Sequence, residues 1–334
     1  MIDKQFLLCR ARGRSDLKVA VVGKYTQGTV EKIQELLPSD FKVLEIDTKE
    51  KFDDLTSADC IVLRGFRMEE ETMNRISNLR FIQRWGAGYD TVDIKAAGRR
   101  GIYVSNLPGI NAYSVSEIVL THILALYKNL INHHNSICKG IWTRDLYNER
   151  TFTLKNKTVG LIGFGNVARN VCKRVQCFDT FVQYYDITRL DSSEEKRLNV
   201  KYVTLEDLLR TSDVVSIHVP LTTETQNLIN KDKLALMKKT SIIINTSRGG
   251  IVNEKDLYDA LVNNKILGAG LDCFSTEPIN DDNPLLKLNN VVLTPHIGGA
   301  SVDLSDEMIS HVVDNLLRLR DKKELKYVVN SEYL

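Results

Sequence analysis

The stretch Thr158-Val159-Gly160-Leu161-Ile162-Gly163-Phe164-Gly165-Asn166-Val167-Ala168 decides how this chain folds. Its first half is a short apolar run of the kind that forms a strand buried on both faces, and its second half fits Gly-x-Gly-x-x-Gly/Ala. Gly163 permits a tight turn, Gly165 lets the backbone approach a pyrophosphate, and the small Ala168 lets the following helix pack closely on its strand. That helix shows one apolar face (Ala168, Val171, Cys172, Val175) and one polar face (Arg169, Asn170, Lys173, Arg174). Its N-terminus offers unpaired N–H groups and the positive end of the helix dipole to an anion. The next strand, Phe181-Val182-Gln183-Tyr184-Tyr185, ends in Asp186, about twenty residues after the glycines, where an acid accepts the ribose hydroxyls of NAD and repels the 2′-phosphate of NADP. Arg189 nearby is the residue that argues for the phosphate. Gly163, Gly165, Asn166, Val167 and Asp186 are the cofactor residues this pattern predicts, and NAD is the cofactor.

Downstream, three more short runs each deliver a different ionisable side chain. Ser241-Ile242-Ile243-Ile244-Asn245-Thr246-Ser247 leads to Arg248, Gly268 to Thr276 leads to Glu277, and Val291-Val292-Leu293-Thr294-Pro295 leads to His296. Rich in β-branched residues and bounded by Gly, Pro or Asn, they read as buried parallel strands whose carboxyl ends line a ligand crevice. Taken singly, Arg248-Gly249-Gly250 fits a surface turn, Glu277-Pro278 a solvated loop and His296 a satisfied strand-end histidine. Three complementary groups at three strand ends after a dinucleotide fingerprint make a joint role the better account. Hydride transfer to a 2-keto acid needs this set, because the cofactor carries the hydride while the protein orients the carbonyl and manages one proton. Arg248 offers a fork of donors to the acid's carboxylate and keto oxygen. His296 supplies or removes the proton, and a carboxylate beside it, Glu277, favours the imidazolium.

Upstream, residues 17–105 alternate strand-like runs (Lys18 to Val22, Phe41 to Ile46, Cys60 to Leu63, Phe81 to Trp85, Ile102 to Val104) with helical patterns, which means βαβ units and a parallel sheet. The segment Val115 to Leu130 is apolar nearly all round, so it is expected to be a helix buried between domains or against another subunit. Lys139 to Lys157 is polar and irregular, with Trp142 as an isolated aromatic, and a second α/β domain begins at Lys157. At the end, Met308, Val312, Val313, Leu316 and Leu317 have helical spacing, and Tyr327-Val328-Val329-Asn330 reads as a closing strand. Periodicity leaves open whether this tail packs on the second domain or returns to the first.

The 334 residues suffice for two domains, and 43% hydrophobic with 26% charged residues is the balance of a globular protein. A formal net charge of +2 without a basic block argues against a nucleic-acid or anionic-membrane partner. The six cysteines contain no Cys-x-x-Cys pair, which points to a reducing, cytoplasmic setting and to no metal site. Nothing approaches the ~20 apolar residues of a membrane span. Residues 1–16, with Asp3, Arg10, Arg12, Arg14 and the short run Phe6-Leu7-Leu8-Cys9, do not make a secretory signal.

Thr158 to Gly165, Asn245-Thr246-Ser247-Arg248-Gly249-Gly250, Leu271-Asp272-x-Phe274-x-x-Glu277-Pro278 and Thr294-Pro295-His296-Ile297-Gly298 together resemble the signatures of the D-isomer-specific 2-hydroxyacid dehydrogenases. Gly86-Ala87-Gly88-Tyr89-Asp90 and Asn106-Leu107-Pro108-Gly109-x-Asn111 extend the likeness into the first half, so that it covers nearly the whole chain from Leu17. The resemblance implies an α/β fold of two doubly wound parallel-sheet domains: a Rossmann nucleotide-binding domain, 107–302, inserted in a flavodoxin-like substrate-binding domain, 1–106 and 303–334, with a cleft that closes on the substrate. It implies Arg248, Glu277 and His296 as the catalytic groups, Asp272 as the holder of the nicotinamide carboxamide, and Val219, Thr246, Ser247 and Gly298 along the cofactor. Gly86, Ala87 and Gly88 then lie on the loop that meets the substrate carboxylate, and Arg64, with Arg67 and Arg84 near it in sequence, is aligned with a substrate-contact position. The apolar helix from Tyr113 would serve a homodimer interface. The implied activity is NAD-dependent hydride transfer with a small D-2-hydroxy or 2-keto acid of the glyoxylate, hydroxypyruvate or 3-phosphoglycerate kind. Two alternatives share the scaffold: formate or phosphite oxidation, against which Glu277 argues because formate enzymes of this fold replace that residue, and an NAD(H)-sensing binding protein like the C-terminal binding protein corepressors, which keep the triad.

Overall fold

The computed structural model describes residues 16–142 and 144–334; the segment 1–15, read above as lacking a secretory signal, lies outside them. The chain divides into two compact units, Met1–Asn111 with Ser301–Leu334, and Ala112–Ala300, a few residues from the junctions expected at 106/107 and 302/303.

In the first unit, β1 (Leu17–Val22), β2 (Phe41–Ile46), β3 (Cys60–Leu63), β4 (Phe81–Arg84) and β5 (Tyr103–Ser105) form one sheet in the order β2-β1-β3-β4-β5, parallel throughout. That is the flavodoxin-like order. Val19 to Val22 and Cys60 to Leu63 are completely buried, because both faces of the sheet are covered. Ala20, Val22, Ile61, Leu63 and Ile82 face one layer with Met68 and Met73, while Val19, Val21, Cys60, Val62 and Phe81 face another with Ile33. Ile309, Val312, Val313 and Leu316 of the helix Ser305–Arg320 complete that second layer, so the tail returns to the first unit. Buried Asn315 ties it there by donating from Nδ2 to Gln83 Oε1 at 2.8 Å.

The closing strand expected at Tyr327 to Asn330 does not form. Val328 makes a single antiparallel bridge to Ser105, and Tyr327 adopts a left-handed φ of 57° that breaks extension. Val329 N donates to Val104 O at 2.8 Å and Asn106 N to Tyr327 O at 3.3 Å, and beyond this bridge the Asn330 side chain takes over: its Oδ1 accepts from Val104 N at 2.9 Å and its Nδ2 donates to Ile102 O at 2.8 Å.

In the second unit, β6 (Thr158–Ile162), β7 (Phe181–Tyr185), β8 (Val200–Tyr202), β9 (Val214–Ile217), β10 (Ile242–Asn245), β11 (Gly268–Leu271) and β12 (Val291–Leu293) form a sheet in the order β12-β11-β10-β9-β6-β7-β8, again parallel. β6 has β7 on one side and β9 on the other, so the strand order reverses there, the place where a doubly wound sheet opens a crevice at its carboxyl ends. The three runs read as active-site strands are neighbours, and Asn245, Leu271 and Leu293 stand in one row at their carboxyl ends.

The apolar helix expected from Tyr113 forms. It spans Ala112–Tyr127 and buries Val119, Ile123 and Tyr127 in the core that Val159, Leu161, Ile242 and Ile244 share with Ala168 and Val171. Its apolarity is met in part inside the unit, where it packs on the sheet and on the helix Asn166–Gln176, while Ile118, Leu120, Leu124 and Leu126 are only half-buried and Tyr113 is exposed. Asn129, at φ 50°, starts a separate helix, Leu130–Cys138, that buries none of its residues. Exposed apolar side chains gather here: Leu130, Ile131, Ile137, Ile141, Leu146 and Trp142, the last 81% exposed.

Candidate active site

Gly163, at φ 84°, turns the chain out of β6, and its N–H donates to Tyr185 O at 2.8 Å. A Cβ at this position would lie 2.8 Å from Val219 Cγ1 and 2.9 Å from the His218 carbonyl, so the turn passes against the end of β9 in a way that excludes a side chain. Gly165 caps the helix Asn166–Gln176, and nothing stands within 4 Å of where its Cβ would be. The result is an open approach to helix N–H groups, with Asn166 and Val167 in the first turn. Asp186 closes the far side. Its Oδ2 accepts from Phe164 N at 2.7 Å and its Oδ1 from Thr188 N at 3.0 Å, which fixes the carboxylate on the glycine turn with acceptor capacity to spare.

Two buried polar atoms along this edge of the sheet have no partner in the protein, His218 Nε2 after β9 and Thr246 Oγ1 after β10. Buried polar atoms are normally satisfied, so these two suit a ligand with polar groups of its own. The open space at Gly165 and these orphaned atoms fit a dinucleotide. The Ser247 hydroxyl, by contrast, is spent on Asn245 Oδ1 at 2.7 Å.

The turn after β10 is built by Asn245, which is 2% exposed. Its Nδ2 donates to Arg248 O at 2.9 Å and its Oδ1 accepts from Ser247 N at 3.1 Å. This presents a half-buried Arg248 whose Nη1 reaches Ser247 O at 2.7 Å. Gly249 then crosses the loop after β11 so closely that a Cβ would sit 1.9 Å from Phe274 O. In that loop Phe274 N donates to Glu277 Oε1 at 2.9 Å, which aims the other carboxylate oxygen outward.

Asp272, at the end of β11, is 1% exposed, and its carboxylate clamps the loop after β12. Oδ1 accepts from Thr294 Oγ1 at 2.5 Å and from Ile297 N at 2.9 Å, and Oδ2 accepts from Gly298 N at 2.7 Å. The residue between these contacts, His296, is held at a left-handed φ of 54°. Its Nδ1 meets Glu277 Oε2 at 2.8 Å, so Nε2 is the ring nitrogen left to face a reactant. The Glu277 hydrogen bond raises the imidazole above its ordinary pKa, against the opposing effects of burial and the Arg248 cation. Burial acts to raise the Glu277 carboxyl as well, but the bonds from His296 and Phe274 N–H, with the Arg248 cation, bring it below the usual range.

Sequence reasoning gave no role to Asn245, Gly249, Thr294 or His122. Fully buried His122 lies on the helix Ala112–Tyr127 and meets Thr294 Oγ1 at 3.1 Å through Nε2, and burial pushes its pKa down to about 4. Because the Thr294 hydroxyl donates to Asp272, the His122 nitrogen is the donor of that pair. The available signal was a lone polar residue within an apolar helix.

The expected substrate residues belong to the first unit, at the carboxyl ends of β3 and β4. Arg64 donates from Nη1 to Lys24 O at 2.9 Å and lies 5.8 Å from the centre of the Tyr25 ring, which itself meets Trp85 edge-on at 5.0 Å. In the 86–88 loop the carbonyls are engaged: Gly86 O by Leu107 N at 2.9 Å, Ala87 O by Asn106 Nδ2 at 2.7 Å and Gly88 O by Arg84 Nε at 3.0 Å. Arg84 also reaches Leu63 O at 3.0 Å, so it braces the loop. Among the described residues no cluster of His, Cys, Asp or Glu is placed to hold a metal ion, and no helix is long and apolar enough to cross a membrane.

A glycine turn and helix N-terminus that fit a dinucleotide stand along the same sheet edge as the hydrogen-bonded His296–Glu277 pair, an arrangement that suits an NAD-dependent oxidoreductase. The family model for the NAD-binding domain of D-isomer specific 2-hydroxyacid dehydrogenases matches residues 120–298. A glyoxylate reductase of Korarchaeum cryptofilum is 38% identical over 267 residues, 79% of this chain and 80% of that protein. A hydroxypyruvate reductase of Thermotoga maritima is 36% identical over 267 residues, 79% of this chain and 85% of its own. A crystal structure of a Thermus thermophilus protein superposes with a TM-score of 0.84 at 30% identity, over 94% of this chain and all of that one. The chain belongs to the D-isomer specific 2-hydroxyacid dehydrogenases, NAD-dependent enzymes acting on 2-hydroxy and 2-keto acids.

Proposed function

We propose that the chain reduces a small 2-oxo acid of the glyoxylate or hydroxypyruvate kind to the corresponding 2-hydroxy acid, of D configuration where the product is chiral, with Arg248, Glu277 and His296 as the catalytic groups. The 2.8 Å pairing of His296 Nδ1 with Glu277 Oε2 carries the reading, because it leaves Nε2 as a proton donor whose charged form is favoured. The names of the two reductases it resembles support the substrate class.

When bound, NADH supplies the hydride. Arg248 orients the carboxylate and keto oxygen of the acid, and His296 Nε2 gives its proton to the oxygen that becomes the hydroxyl. Glu277 holds the imidazolium in place and balances its charge. In the reverse direction His296 is neutral and removes that proton. Gly163 and Gly165 receive the pyrophosphate with Asn166 and Val167, Asp186 accepts the ribose hydroxyls, and Val219, Thr246, Ser247 and Gly298 line the cofactor. Asp272 Oδ2 has acceptor capacity beyond its bond from Gly298 for the carboxamide. In the first unit the N–H groups of Gly86, Ala87 and Gly88 meet the substrate carboxylate, and Arg64 reads the rest of the acid. The test is NADH oxidation across a panel of 2-keto acids in wild type and His296→Ala; unchanged turnover in the variant refutes the proton-transfer role.

The same proposal includes a homodimer and a cytoplasmic setting. Exposed Leu130, Ile131, Ile137, Ile141, Trp142 and Leu146 form the apolar stretch a second copy would cover, and Cys60, Cys172 and Cys273 are buried free thiols. Sedimentation of wild type against Ile131→Glu/Ile137→Glu tests the dimer: a wild type that sediments as a monomer refutes it.

A further inference from the structure

We infer that Glu195 is a cofactor-specificity residue, one that withholds Arg189 from the 2′-phosphate of NADP by pairing with it. The inference rests on the reading of Asp186 as the acceptor of the ribose hydroxyls. Arg189 follows Asp186 by three positions, in the loop between β7 and the helix Ser192–Leu198. An arginine in that place is what accommodates a 2′-phosphate in a dinucleotide fold, so its presence in an NAD-binding chain calls for a physical reason.

The reason is in its contacts. Arg189 donates from Nε to Glu195 Oε1 at 2.9 Å and from Nη2 to Glu195 Oε2 at 3.0 Å, the parallel fork that it would otherwise offer to a phosphate. Its guanidinium also lies 5.2 Å from the centre of the Tyr202 ring. The carboxylate end of the pair is the fixed one. Tyr184 donates its hydroxyl to Glu195 Oε1 at 2.9 Å and accepts from Leu190 N at 2.9 Å, so strand β7 and the loop both hold the glutamate. The Glu195 side chain is 12% exposed against 59% for Arg189. A phosphate arriving at this edge therefore has to draw the arginine off an anchored carboxylate.

The second arginine near this edge is tied in the same way. Arg169, in the first turn of the helix Asn166–Gln176, donates from Nη1 to Glu194 Oε1 at 2.8 Å, and Glu194 also takes both donors of Arg197 at 2.7 Å. The first turn of Ser192–Leu198 thus neutralises both guanidinium groups that a phosphate would seek, while Asp186 adds its own repulsion. Discrimination against NADP comes from sequestration as well as from charge.

Isothermal titration of purified protein with NADH and with NADPH tests this without reference to turnover. In Glu195→Gln the NADPH dissociation constant is expected to fall about tenfold relative to that of NADH, the worth of one recovered charge-assisted bond. Adding Arg189→Leu to that variant is expected to abolish the gain. An unmoved NADPH constant in a Glu195→Gln protein whose thermal melt matches wild type overturns the inference, and so does a gain that survives Arg189→Leu. Asp186→Ser separates the two layers. If it shifts the NADPH to NADH ratio while Glu195→Gln does not, the ribose reading stands and sequestration falls; if neither shifts it, both fall.

Discussion

Asp272→Asn separates the scaffold of this site from its chemistry. The wild-type carboxylate accepts three bonds, from Thr294 Oγ1, Ile297 N and Gly298 N. An asparagine oxygen placed like Oδ1 retains the first two, but its NH₂ then faces the Gly298 N–H, donor against donor. The loop cannot simply turn over, because Ser114 Oγ holds the Gly298 carbonyl at 2.7 Å. An orphaned buried N–H costs about 1–3 kcal/mol, and loss of charge assistance on the two remaining bonds adds to it, so about 2–4 kcal/mol is the expected destabilisation. For a unit the size of Ala112–Ala300 this lowers Tm by roughly 4–16 °C. The same clamp keeps His296 at φ 54°, a conformation that costs a non-glycine residue about 1–3 kcal/mol and relaxes once its support weakens. Turnover is then expected to fall about 10- to 100-fold through loss of the His296–Glu277 alignment. The assay pairs a thermal melt of the cofactor-free protein with steady-state NADH oxidation. If Asp272→Asn melts like wild type and changes the KM for NADH alone, Asp272 acts only through the cofactor and the clamp argument is refuted.

Glu277→Gln removes the main cause of the raised His296 pKa. Keto-acid reduction needs the imidazolium, which is present below that pKa and lost as pH rises through it, so the decline of kcat/KM is expected to begin at lower pH in the variant; an unmoved profile contradicts the pairing. Gly165→Val meets no protein atom within 4 Å of the new Cβ, so the thermal melt is expected to stay put while NADH affinity drops by about 100-fold or more, and retained affinity refutes the cradle. Gly249→Ala forces a Cβ to 1.9 Å from Phe274 O, so a loss of about 1–3 kcal/mol is expected in urea unfolding, and wild-type stability argues against the close crossing of the two loops.

Much of this was legible in the chain because period and punctuation report backbone geometry. The run Ile242 to Asn245 has to be a strand covered on both faces, and Gly163 and Gly165 have to be where the chain turns and where a ligand comes close. What stayed hidden depended on side chains meeting across elements. His122 looks like a misplaced polar residue until Thr294 and Asp272 appear beside it. The helix Ala112–Tyr127 has a composition that suits a subunit interface as well as a core, and only neighbours far off in sequence, Val159 and Ile242 among them, show that one face of it is core. The tail misled for a related reason: Val328 and Val329 favour a strand, but pairing stops after the one bridge at Ser105, where the Asn330 amide takes the Ile102 carbonyl and the Val104 N–H.

The order of the proposed catalytic groups across the sheet follows from their charges. Arg248, Glu277 and His296 come from β10, β11 and β12, adjacent strands that end level at Asn245, Leu271 and Leu293. Neighbouring strands lie about 4.8 Å apart, so two strand spacings separate the ends that carry the arginine and the histidine. The carboxylate belongs to the middle strand. There it counters the cation of β10, which acts to lower the histidine's pKa, and raises it by direct hydrogen bonding. With Glu277 at an outer strand, Arg248 and His296 would be direct neighbours, and a proton donor beside a permanent cation would lose its proton to solvent at lower pH. The loop after β11 accordingly makes contact on both sides. Gly249 presses on it from one side, Phe274 N–H fixes Glu277 within it, and Asp272 at its base reaches across to steady the histidine loop.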